Sequence, residues 1–170
     1  MDIESVVTQL QAELGQAVQG VERFRGETSI LVSPAKVLTA CQWLREQHGF
    51  DLLIALTAVD YWPSEPRFAL IYKLYSTASN AFIGLRLPVP GNAAEVPTLE
   101  NLFPNANWHE REIYDMFGVG FAGHSDLRRI LMPHDWEGHP LRKDHPLGYE
   151  EVQYTFNFDE IDRRKPYATR

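Results

Sequence analysis

A chain of 170 residues and 19.5 kDa, 44% of it hydrophobic, is long enough to bury a core without staples, and its lone cysteine, Cys41, excludes an intramolecular disulfide framework. A formal net charge of -7 argues against general nucleic-acid binding, which needs a concentrated basic surface. The longest apolar stretch, LLIALTAV at 52–59, is far too short to span a bilayer, and MDIESVV has no basic region ahead of an apolar core, so neither a span nor a secretory signal is expected.

Ile3, Val6, Val7, Leu10 and Leu14 fall on one stripe of an amphipathic helix, which Gly15 can terminate. Two extended segments follow, around Val18 to Arg25 and Thr28 to Val32, with a turn at Gly26. Ser33-Pro34 reads as an N-cap with proline at the first helical position. Val37, Leu38, Cys41 and Leu44 form that second helix's buried stripe, and Gly49 is its left-handed stop. DLLIALTAVDYW at 51–62 is nearly continuously apolar, as a central strand covered on both faces would be. RFALIYKLYST alternates, with Phe68, Leu70, Tyr72 and Leu74 on one face, and AFIGLRLPV supplies an antiparallel partner beyond a turn at Ser79-Asn80. Pro88, Pro90, Gly91 and Pro97 mark a loop, and a helix covers about Ala106 to Phe117. This order predicts an α+β domain over residues 1–119, its helices packed on a mixed or antiparallel sheet.

Past Gly118 the character changes. Residues 120–170 have no sustained period of 2 or 3.6 but many glycines, prolines and charges, so either they hold elements that the pattern does not reveal or they form a long extended docking segment ordered by a partner. From Arg128 to the end there are eight basic and eight acidic residues, which leaves the whole acidic excess in the earlier part. Trp136, Tyr149, Tyr154, Phe156 and Phe158 interleave with those charges, and aromatics with arginine are the composition of buried interface anchors.

The chemistry-bearing residues crowd into WHEREIYDMFGVGFAGH at 108–124. A zinc-peptidase motif HExxH needs histidines four apart on one helical face; here His109-Glu110 is followed by Ile113, so the second ligand is missing. Cys41 lies in an apolar stripe, where a structural thiol is expected, and GVGFAG at 118–123 has its glycines at the wrong intervals for a dinucleotide loop. On a helical wheel His109, Ile113, Met116 and Phe117 share one side, Arg111 and Asp115 form an i,i+4 pair on the other, and Glu112 lies close by. Glu110 borders the apolar side. There it either pairs with a cation, or serves the helix start in a capping box with Asn107. Arg128, Arg129, Arg142 and Lys143 are the cations within reach, closing the chain on itself or bridging to another chain.

These residues resemble the signature of the thirty-kilodalton subunit family of respiratory NADH dehydrogenase, the C subunit of NADH-quinone oxidoreductase (complex I). EREIYDMFGVGFAGHSDLRRIL at 110–131 carries the resemblance through Glu110, Arg111, Glu112, Asp115, His124, Arg128 and Arg129. DWEGHPLRKDHPL at 135–147 continues it with Trp136, His139, Arg142, Lys143 and Asp144, and TAVDYW at 57–62 is similar too. Ser125 stands where the family pattern has proline. The resemblance implies a non-catalytic scaffold of the peripheral arm, with no catalytic, cofactor or metal residue of its own, in a translocase carrying electrons from NADH to quinone. FMN and iron-sulfur clusters would belong to other subunits. Its partners would be the forty-nine-kilodalton D subunit, wrapped by the C-terminal segment, and the subunit holding the terminal cluster, on the cytoplasmic face of the membrane. The alternatives are the same scaffold in a ferredoxin-linked or membrane-bound hydrogenase complex, and a metal-dependent hydrolase using Glu110 or Glu112 as base.

Overall fold

The computed structural model describes residues 2–91 and 94–145, together with positions 156, 159, 160 and 163. Helix α1, Ile3–Leu14, is capped by the Asp2 carboxylate and ends at Gly15, φ 54°. Strands β1, Val18–Phe24, and β2, Glu27–Val32, form an antiparallel hairpin. Arg25 and Gly26, at φ 52° and 80°, make its turn, because two successive positive φ values match the right-handed twist of the strands.

The second helix starts later than the sequence suggested. Pro34–Lys36 form a 3-10 turn, Ser33 makes no side-chain cap, and α2 runs Val37–His48 to a left-handed Gly49. Ala40, Cys41 and Leu44 are buried with Val37, whereas Leu38 is 41% exposed. The buried stripe is therefore the expected one with Ala40 in place of Leu38. Burial pushes the Cys41 thiol far above its ordinary range, as suits a structural residue.

Strands β3, Leu52–Asp60, β4, Phe68–Ser76, and β5, Ala81–Val89, complete a five-stranded mixed sheet in the order β1-β2-β5-β4-β3, parallel only between β2 and β5. The apolar β3 is thus an edge strand, not a central one. Its inward residues Leu53, Leu56 and Ala58 pack in the core, while Leu52 and Ile54 stand 46% and 43% exposed. Pro88 lies inside β5, beyond the last β2 pairing at Arg86, where a missing N–H costs no ladder bond on that side. Two further strands had no period long enough to betray them: β6, Glu95–Pro97, and β7, Gly120–Ala122, pair in parallel. Between them runs α3, Ala106–Phe117, which Gly118 stops at φ 72°.

All three helices contribute to one core against one face of the sheet, where Phe68, Leu70, Tyr72 and Leu74 meet Ile83, Leu85 and Leu87. The other face carries Lys73–Glu27 and Arg86–Glu22 ion pairs. Residues 120–145 return along α3 and lie against the same domain, as the bonds below define. Tyr149, Tyr154 and Phe158 fall outside the described residues.

Candidate functional site

The signature residues gather around α3. Glu110 is fully buried. Its Oε2 accepts the Thr98 hydroxyl at 2.5 Å, and its Oε1 accepts the Leu99 N–H at 2.7 Å. Neither expected partner is there: among the described residues no lysine or arginine reaches it, and Asn107 is not its capping mate. The chain leaving β6 passes over the first turns of α3 and supplies both donors first. His124, whose side chain is also closed to solvent, holds Nε2 4.0 Å from Glu110. That nitrogen bonds the Asn107 carbonyl at 3.2 Å, while Nδ1 accepts the Asp126 N–H at 3.0 Å. Burial pushes the Glu110 carboxyl above the ordinary range, against the lowering pull of Leu99 and Thr98. Tyr72 lies in the same field, with a buried hydroxyl that has no partner among the described residues, and burial raises it too.

Asp115 does not pair with Arg111. Its Oδ1 takes Arg129 Nη1 at 2.7 Å. Its Oδ2 accepts three consecutive backbone N–H groups, those of Ile130, Leu131 and Met132, at 3.0, 2.8 and 2.8 Å. Desolvation works to raise this buried carboxyl, but the Met132, Arg129, Leu131 and Ile130 bonds overcome it and hold the group low. Arg111 instead donates to the Arg128 and Arg129 carbonyls and lies over the Trp108 ring. The i,i+4 geometry was available, but three successive N–H donors on an irregular folded-back segment, with a guanidinium, are the stronger ligand for an anion.

At the end of α3 the chain closes on itself again. A Cβ on Gly118 would stand 2.5 Å from both His139 Nε2 and Arg142 Nη2, so any other residue there would displace the ends of those two side chains besides straining the positive φ. His139 Nδ1 bonds the Asp115 carbonyl at 3.0 Å, Arg142 donates to the Phe117 carbonyl, and the Leu141 N–H donates to Met116. Burial keeps the His139 imidazole below its ordinary range. Beyond it, buried Arg67 joins Asp60 at 2.9 Å to Asp144 at 2.6 Å, with its guanidinium between the Trp62 and Phe68 rings. Asp60 also accepts the Lys143 N–H at 2.8 Å. Desolvation is outweighed there by Arg67, Lys143 and Trp62, which hold the Asp60 carboxyl down at about 2.

Of the other sequence candidates, Glu112 is exposed, Arg128 pairs with Asp126 at the surface, and Trp136 is half-buried. Lys143 contributes its backbone, not its ammonium, to Asp60. Asp60, Arg67 and Thr98 were not anticipated. Asp60 had left a signal: it shares the parity of Ala58 on the buried face of β3, where a carboxylate needs a partner. Ser125 uses the two groups that a proline would lack, giving its N–H and its hydroxyl to Glu100 at 2.9 and 2.6 Å. Among the described residues no three of His, Cys, Asp and Glu are gathered as a metal ion would require. The arrangement is a set of anions that receive backbone and guanidinium donors, a chemistry of fastening.

A family model described as "Respiratory-chain NADH dehydrogenase, 30 Kd subunit" matches residues 30–151. The chain belongs to this family. The NADH-quinone oxidoreductase C subunit of Roseiflexus sp. (strain RS-1) is 46% identical over 170 residues, covering 99% of this chain and 98% of its own. The corresponding C subunit of Roseiflexus castenholzii is 47% identical with the same coverage. A solved trypsin-resistant fragment (1-134) of Nqo5 superposes with a TM-score of 0.65 at 28% identity, covering 75% of this chain and all of that one. A chain of a membrane-bound sulfane sulfur reductase, an archaeal respiratory membrane complex, shares the fold at a TM-score of 0.72 and 24% identity, covering 95% of this chain and 89% of its own. Membership of the family places the chain among the subunits of NADH-quinone oxidoreductase, a hetero-oligomeric respiratory complex. No helix among the described residues is long and apolar enough to cross a membrane.

Proposed function

We propose that the chain is a non-catalytic scaffold of the peripheral arm of NADH-quinone oxidoreductase, binding no cofactor of its own while other subunits carry FMN and the iron-sulfur clusters. Residues 120–170 dock on the forty-nine-kilodalton D subunit, beside the subunit holding the terminal cluster, at the cytoplasmic face of the membrane. The observation that carries this reading is the use of the signature acids. Glu110 and Asp115 are buried and occupied by hydroxyl, backbone and guanidinium donors, so neither stands free to exchange protons with a substrate. Exposed apolar side chains support docking: Trp108, Leu131 and Leu141 are 59%, 60% and 54% exposed, and Arg111 lies over the Trp108 ring, an aromatic, aliphatic and arginine mixture suited to an interface.

The test is retrieval of the complex on a tagged chain. Full-length protein should bring down the D subunit, and a chain cut after His145 should retain much less of it. If full-length protein retrieves no D subunit from membranes containing the assembled complex, the scaffold reading fails.

A further inference from the structure

The segment that follows β7 is fastened to the domain at three stations along its length. At the first, one buried carboxylate, Asp115, collects Arg129 and the successive N–H groups of residues 130–132. At the second, Leu141 donates to the Met116 carbonyl while His139 and Arg142 close over the Cβ-less face of Gly118. At the third, Asp60 takes the Lys143 N–H and Arg67 forks onto Asp144 with two bonds, 2.9 and 2.6 Å.

These stations share a design. The domain offers carboxylates, helix-end carbonyls, a glycine gap and the Arg67 guanidinium, all of which face the returning chain; the returning chain offers donors to the carboxylates and carbonyls and the Asp144 carboxylate to Arg67. Charge-assisted bonds of this kind are stronger than neutral ones, and several converge on each anion. Every one of these bonds is made within the chain. Opposing closure is the conformational entropy of ordering the segment, reduced here because β7 already fixes its start by pairing with β6.

We infer that residues 128–145 form a strap already closed on the domain in the free chain, before any partner is met, with Asp115 as its anchor and Arg67–Asp144 as its last fastening. A partner then meets a preorganised surface and bears none of the ordering cost for these residues. Whatever docking requires a partner for its order begins beyond Asp144. This inference does not depend on which subunit is bound.

Amide exchange in the purified full-length chain alone tests it, with a synthetic peptide of residues 124–145 as the open reference. The N–H groups of Ile130, Leu131, Met132, Leu141 and Lys143 should exchange about a hundredfold more slowly in the chain than in the peptide. Exchange of all five at peptide rates, with the β4 and β5 amides still protected, would overturn the strap. Two variants locate the fastenings. Asp115→Asn should release residues 130–132 by about tenfold or more, and Asp144→Asn should release Lys143 while leaving residues 130–132 protected. Uniform release by the mild Asp144→Asn change would contradict separate stations.

Discussion

Glu110 and His124 are both sealed from solvent with 4.0 Å between Oε2 and Nε2, yet each spends its hydrogen bonds elsewhere. Among the described residues no lysine or arginine closes on the carboxyl, and burial raises its proton affinity. In the window from the ordinary glutamate range up to the raised folded value, the folded chain holds a proton that the unfolded chain has lost. Stability therefore falls as pH rises through that window. Glu110→Gln should flatten this slope and cost about 1 kcal/mol or less, whereas Glu110→Ala, which strips the Leu99 N–H of its acceptor and leaves a void, should cost about 2–4 kcal/mol. Urea unfolding from pH 4 to pH 8 reads both; an unchanged slope in Glu110→Gln contradicts the account.

Arg129 binds in two directions, to Asp115 at 2.7 Å and to the Gly138 carbonyl at 2.9 Å. Lysine preserves the charge but cannot fork. Arg129→Lys should lose about 1–2 kcal/mol. The Asp115 carboxyl, held low, contributes its stabilisation above the ordinary aspartate range, and that contribution disappears as pH falls through its folded value. The deficit of Arg129→Lys relative to the parent should therefore shrink in acid. A deficit that grows in acid would place the arginine's role elsewhere.

Gly118 and Gly49 separate two reasons for glycine. Both end a helix in the left-handed region, at φ 72° ψ 28° and φ 67° ψ 30°, but a Cβ at Gly49 would meet only Ser76 Oγ at 3.8 Å, an ordinary contact. Gly49→Ala should cost about 1–2 kcal/mol, the conformational cost alone. Gly118→Ala adds the clash with His139 and Arg142 and should cost about 2–4 kcal/mol. Equal losses in denaturant melts would show that the returning segment does not press on Gly118.

Ser125→Pro places a proline where the sequence resemblance predicts one and removes two bonds to Glu100. A loss of about 1–2 kcal/mol is expected in this chain, offset in part by the stiffer unfolded state. Thermal melts of the variant decide the sign, and a clear gain in stability would mean that the Glu100 bonds contribute little.

The bounds of α3 were legible because a 3.6 period ends on a glycine, and Glu110 stood out as a carboxyl bordering an apolar face. Its partner was not legible. Thr98 follows a three-residue strand, too short to show a period, inside a stretch punctuated by prolines. Asp115 was assigned the arginine four residues back because a helical wheel sees only its own helix; the donors came from residues 129–132, which have no regular structure to announce them. The apolar run of β3 could not distinguish an edge from a centre, since Leu52 and Ile54 look the same in solvent as in a core. The strand order depends on β2 crossing to β5, a pairing between positions 55 residues apart, as Ser29 and Gly84 are, with no local signature.

The Lys143 to Asp60 bond joins positions 83 apart, and Arg67 to Asp144 spans 77. During synthesis, Asp60 and Arg67 therefore emerge on the order of ten seconds before Asp144. For that interval Asp60 keeps Arg67 and the Trp62 N–H but lacks Lys143, and Arg67 lacks Asp144. The strap can thus close fully only once residue 144 has emerged, and a nascent chain stalled before it would display the bare seat on which it closes.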